Sequence, residues 1–80
     1  MIRVFEVVLP LDHSQADIVA AVAKRLGVAV RDIARVEIFR EGWDARRRGQ
    51  VSAVLGVDVE THHEEEVLRR LAGDGKVRRR

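Results

Sequence analysis

Val51–Glu60, VSAVLGVDVE, alternates so regularly that it predicts an extended strand. Val51, Ala53, Leu55, Val57 and Val59 fall on one side, because successive strand side chains point to opposite faces. Ser52, Val54, Gly56, Asp58 and Glu60 fall on the other, which turns polar toward its end. Ile2–Leu9 reads as a second strand rich in β-branched residues, with Phe5, Val7 and Leu9 as its cleanest apolar row and Pro10 ending the pairing. Ala34–Glu41 alternates as a half-exposed strand, with Ala34, Val36 and Ile38 on one side and Arg35, Glu37 and Phe39 on the other.

Two stretches switch to helical spacing. From Gln15 to Leu26 the apolar positions Ile18, Ala21, Val22 and Leu26 share one face. Ser14 and Asp17 supply a capping box, Lys24 and Arg25 suit the last turn, and Gly27 is the expected C′ residue. Val28–Ile33 is expected as a turn or a single-turn helix. Thr61 and Glu64 repeat the capping signature ahead of Val67, Leu68 and Leu71, with Glu64–Glu66 in the first turn, Arg69 and Arg70 near the last, and Gly73 as the close. Lys76–Arg80 is a possible last edge strand held by Val77.

The order is β-α-β-β-α-β. It predicts an α+β, ferredoxin-like two-layer sandwich, an antiparallel-type sheet with two helices on one face. The first and third strands, the most apolar, belong at the centre, and the more charged second and fourth belong at the edges. Asp58 and Glu60 are expected to pair with arginines of Arg35–Arg40 on the neighbouring strand. Residues 1–80 form a single small domain, with Arg78, Arg79 and Arg80 as a disordered basic tail.

Charge changes the picture less than the net +2 suggests. Setting those three arginines aside leaves 12 basic residues against 13 acidic ones, a balanced body where a nucleic-acid binder usually shows a basic face. The sequence has no cysteine, so neither disulfides nor thiolate metal sites are available, and 46% hydrophobic residues must build the core. No apolar run approaches the roughly 18 residues of a membrane span. Met1 leads straight into a strand with no signal peptide, and a cytoplasmic protein is expected.

Candidate chemistry is sparse. Gly73-Asp74-Gly75 has Arg78 where a dinucleotide fingerprint needs its third glycine, and it follows a helix. His62 and His63 diverge by about 100° on a helix and share no face for a metal. Asp12, His13 and Ser14 are adjacent rather than convergent, and Ser14 is better used as a cap. No catalytic, cofactor-binding or metal residue is therefore assigned. The most suggestive surface is Trp43, Asp44, Arg46, Arg47 and Arg48, in a polar connection bounded by Gly42 and Gly49, with Arg40 nearby at the end of the preceding strand. Three readings stay open: base stacking with phosphate contacts, a solvated hairpin with Trp43 on a sheet edge, or a contact with another protein domain.

The chain also resembles the N-terminal segment of a family of uncharacterised bacterial FAD-dependent dehydrogenases. The matching stretches are MIRV at Met1–Val4, LPLDHS at Leu9–Ser14, KRLGV at Lys24–Val28 and DI at Asp32–Ile33. DARRR at Asp44–Arg48, VDVE at Val57–Glu60 and LAGD at Leu71–Asp74 continue the pattern in order. Leu55-Gly56 departs from it, standing where the family carries an aromatic and a small polar residue. The resemblance implies an accessory module ahead of a flavin-binding oxidoreductase region. FAD belongs to that region and not to this chain, and the implied partner is the flavin-binding domain of the same protein. A non-catalytic accessory or interaction domain is thus expected; the alternative is a free-standing RNA-binding module using Trp43 and Arg46–Arg48.

Overall fold

The computed structural model describes residues 1–47 and 50–80, with the side chains at 46, 47 and 50 set aside. Strand β1 (Ile2–Pro10) leads through helix α1 (Gln15–Leu26) and a 3-10 turn (Val30–Asp32) to β2 (Ile33–Arg47) and β3 (Gln50–Thr61). Helix α2 (Glu64–Arg70) and the short strand β4 (Val77–Arg79) follow. The sheet is antiparallel throughout in the order β2-β3-β1-β4. The two most apolar strands are therefore central, as their composition predicts. Among the described residues no helix is long and apolar enough to cross a membrane.

One face of the sheet carries the core. Ile2, Val4, Val7 and Leu9 of β1 and Ala53, Leu55, Val57 and Val59 of β3 form one cluster with Ile18, Val22 and Leu26 of α1 and Val67 of α2. Helix α1 begins and ends as its sequence predicts. Ser14 and Asp17 each bond the other's backbone N–H, at 3.2 and 2.9 Å. Gly27 takes the left-handed conformation at φ 70°, where a Cβ would also stand 3.1 Å from Arg70 Nη2. Arg70 donates from α2 to the Leu26 carbonyl, closing the C-terminus of α1 with a cation.

Strand β1 departs from simple alternation. Its register against β3 shifts between Val4 and Val7, and Glu6 sits at φ 56°. The extra residue of this irregularity reverses the phase, so the buried row is Ile2, Val4, Val7, Leu9, and Phe5 leaves the expected core row for the opposite face. The distortion is held from both sides. Arg25 Nη1 donates to the carbonyls of Phe5 and Glu6 at 3.3 and 3.5 Å, Phe5 N–H donates to Lys76 O at 2.8 Å, and Lys76 pairs with the Glu6 carboxylate.

Four further expectations are corrected. Strand β2 does not stop at Glu41; Gly42, Trp43 and Asp44 stay in the ladder opposite Val54, Ala53 and Ser52, so they belong to a strand rather than a polar connection. Thr61 ends β3 instead of capping α2, and its hydroxyl donates to the Asp32 carbonyl at 2.8 Å. The N-cap of α2 is His63, without a side-chain bond, and Leu71 ends the helix in place of Gly73. Arg78 and Arg79 are not a tail: they lie in β4 opposite Arg3 and Ile2, while Arg79 pairs with Glu64 and Glu65 of α2.

Candidate functional site

The sheet face away from the helices is open. Register places Arg3, Val8 and Pro10 of β1 here opposite Asp58, Val54 and Ser52 of β3, with Glu37, Arg40, Gly42 and Asp44 of β2 beyond them. Phe5 and Phe39 meet edge to face at 5.5 Å and 83°, across the intervening β3. That crossing is possible because residue 56 is glycine: a Cβ there would lie 2.6 Å from Phe39 Cζ. Each ring also carries a guanidinium, Arg3 4.0 Å from the Phe39 centroid and Arg78 4.9 Å from that of Phe5.

Gly56→Ala is expected to leave stability nearly unchanged while moving Phe39. A strand gains about 0.5–1 kcal/mol when alanine replaces glycine, and losing an aromatic contact costs about 0.5–1.5 kcal/mol. Ring-to-ring NOEs between Phe5 and Phe39 should vanish; their persistence would show that Gly56 is not what admits the ring.

Beside the aromatic pair a shallow groove of about 990 Å³ runs between Phe5, Val8, Val54 and Gly56. Arg40, Lys76 and Arg78 bring positive charge to it, Glu6 and Asp44 negative. Val8 is 59% exposed and Phe39 36%, so apolar surface faces solvent along it. Trp43 borders the groove, yet the register sets it opposite the core residue Ala53, so its indole is not part of the floor. Glu6 and Asp44 both have interactions within the chain.

At the other end of this face Asp58 is only 3% exposed. Arg3 grips it with two hydrogen bonds, Nε to Oδ1 at 2.9 Å and Nη2 to Oδ2 at 3.1 Å. Arg80 Nε lies 3.5 Å from Oδ2 and its Nη1 4.0 Å from Glu37, which in turn pairs with Arg35. The hydrogen bonds from Arg3 hold the Asp58 carboxyl below its ordinary pKa; burial opposes them, and the charges of Arg3, Arg80 and the terminal ammonium add to them. Asp58 thus pairs toward β1 and the C-terminal end, not with Arg35–Arg40, and Arg35 turns to Glu37.

Of the surface marked by the sequence, Arg40 and Asp44 share the open face, where both line the groove, and Trp43 sits on the other. The side chains of Arg46 and Arg47, and Arg48 altogether, lie outside the described residues. The sequence does not mark Phe5, Phe39, Arg3, Arg78 and Lys76 as one surface; β1 is apolar at 2, 4, 5, 7, 8 and 9, so a row with Phe5 in the core fits it as well as one without. His13 Nδ1 bonds the Pro10 carbonyl at 2.7 Å and Ser14 serves as a cap. His63 lies 3.9 Å from Asp32, and among the described residues no three His, Cys, Asp or Glu converge as metal ligands.

These features define a small α+β domain with one face of its sheet closed by helices and the other open. The chain belongs to the family described as a domain of unknown function (DUF8436), whose model matches residues 1–60, from β1 almost to the end of β3. No curated protein matches the chain.

Proposed function

We propose that the chain is a non-catalytic accessory domain, ferredoxin-like in fold, that docks through the open face of its sheet onto a flavin-binding oxidoreductase region. The observation that carries this reading is the solvent-facing apolar surface of Val8, Phe39 and Val54 beside Phe5, rimmed by Arg40, Lys76 and Arg78. Apolar surface rimmed by polar groups is typical of protein contacts. The ordered resemblance to the N-terminal segment of FAD-dependent dehydrogenases supplies the partner. The strand order β2-β3-β1-β4 supports the ferredoxin-like assignment. A cysteine-free sequence suits a cytoplasmic setting.

The test is amide shift mapping of the labelled chain on titration with the separately expressed flavin-binding region of such a dehydrogenase. Perturbations should cluster at Val8, Phe39, Arg40, Val54 and Arg78. Absence of binding, or perturbations confined to α1 and α2, would overturn the reading.

RNA binding is the second reading, favoured by one observation: Phe5 lies on the sheet face beside Phe39 rather than in the core. Against it, Arg3 and Arg78 already cover those rings, and Glu37, Asp44 and Asp58 share the face. Salt-dependent binding of single-stranded RNA, weakened by Phe39→Ala, would favour it over docking.

A further inference from the structure

Strand β2 is fifteen residues long and, among the described residues, pairs with β3 along one side alone. Its outer side presents a row of backbone donors and acceptors, a template for another strand. The register is irregular between Ile38 and Arg40 and between Asp44 and Arg47, but Arg40–Asp44 runs without interruption opposite Gly56–Ser52. That regular run reads Arg-Glu-Gly-Trp-Asp, which is complementary to itself when laid antiparallel.

We propose that β2 pairs edge to edge with β2 of a second copy, antiparallel about Gly42, joining the two four-stranded sheets into one continuous sheet. This register sets Arg40 opposite Asp44 of the second copy, and Asp44 opposite its Arg40, on the open face. Asp44 already interacts within its own chain, and a carboxylate accepts from more than one donor. The two-fold axis passes between the two Gly42 residues, which face each other across it. Neighbouring registers are worse: an axis at Glu41 sets two like carboxylates against each other, and one at Trp43 leaves Asp44 opposite Gly42.

Trp43 supplies the burial that exposed charge pairs do not, since such pairs set register more than affinity. It is 71% exposed in the single chain. In the paired register it faces Glu41 of the second copy, and the two Trp43 side chains become diagonal neighbours, about 7–8 Å apart and within reach of aromatic rings. A two-fold axis perpendicular to the sheet keeps both open faces on the same side, doubling that surface. The proposal is independent of what docks there.

Sedimentation equilibrium of the full chain tests it. Mass should rise from one to two chains with concentration, and the emission of Trp43, the single tryptophan, should shift to the blue in step. Arg40→Asp and Asp44→Arg should each weaken the dimer by at least about tenfold, because each sets like charges opposite one another. The double swap R40D/D44R restores both pairs and should recover the original dissociation constant. Three results would overturn the proposal: one-chain mass up to millimolar concentration, single variants that dimerise normally, or a double swap as weak as the singles. A β2 edge reserved for a strand of a different protein would give the first of these.

Discussion

Leu55→Ala is expected to lower stability by about 3 kcal/mol, within the range for emptying a leucine site in a core. Leu55 is 1% exposed in β3, paired with Val7 of β1 on one side and Glu41 of β2 on the other, so neither flank can collapse freely into the space. A chain of 80 residues has about 4–12 kcal/mol in all, which makes the loss a large share of the total. Val51→Ala removes a side chain from the same apolar row. At 46% exposure, however, it should change stability by less than about 0.5 kcal/mol. Urea unfolding of both variants checks the pair: the midpoint should fall steeply for Leu55→Ala with the slope unchanged, and barely move for Val51→Ala. Equal losses would mean that the core does not stop between Val51 and Ala53.

That boundary illustrates what the sequence conveys about the fold. The period-two row of Val51–Glu60 identifies a central strand, but periodicity alone does not say where along the strand the helices stop covering it. The caps of α1 were fully legible because they are local: Ser14, Asp17 and Gly27 contact residues within one turn. The start of α2 is not legible in the sequence for the complementary reason. Thr61 has the right residue type for a cap, yet its hydroxyl is taken by Asp32, a partner 29 positions away. Likewise the end of β2 is hidden in the sequence because Gly42 and the charges after it resemble a turn. Pairing with β3 keeps that polar stretch extended instead.

The open face was the least legible part, and the cause lies in β1. A single left-handed residue, Glu6, moves Phe5 from one side of the sheet to the other and creates the aromatic pair with Phe39. The apolar spacing of β1 fits either phase and so carries no trace of this. The cations that hold the irregularity, Arg25 and Lys76, come from distant parts of the chain and leave none. Arg78 has the same history: counted as tail charge in the sequence, it becomes a ring-stacking residue once β4 pairs with β1.

Asp58→Asn is expected to cost about 2 kcal/mol near neutral pH, the scale of hydrogen bonds to a charged group. Asparagine keeps the volume but returns no charge to Arg3 and Arg80. The pH dependence separates this loss from a packing effect. Because the Asp58 carboxyl is held below its ordinary value in the folded chain, its stabilisation is fully present above the unfolded value of about 3.9 and is lost as pH falls through the folded one. The gap between the native chain and Asp58→Asn should therefore be wide at pH 7 and narrow steadily on acidification below about pH 4. Other carboxylates titrate in both proteins, so the difference isolates Asp58, and a gap independent of pH would rule out its charge as the cause. The Arg3 guanidinium that grips Asp58 also stacks on Phe39, so releasing it should shift the Phe39 ring resonances. A partly buried ion pair at one end of the sheet would thereby be seen to set the aromatic surface proposed for docking.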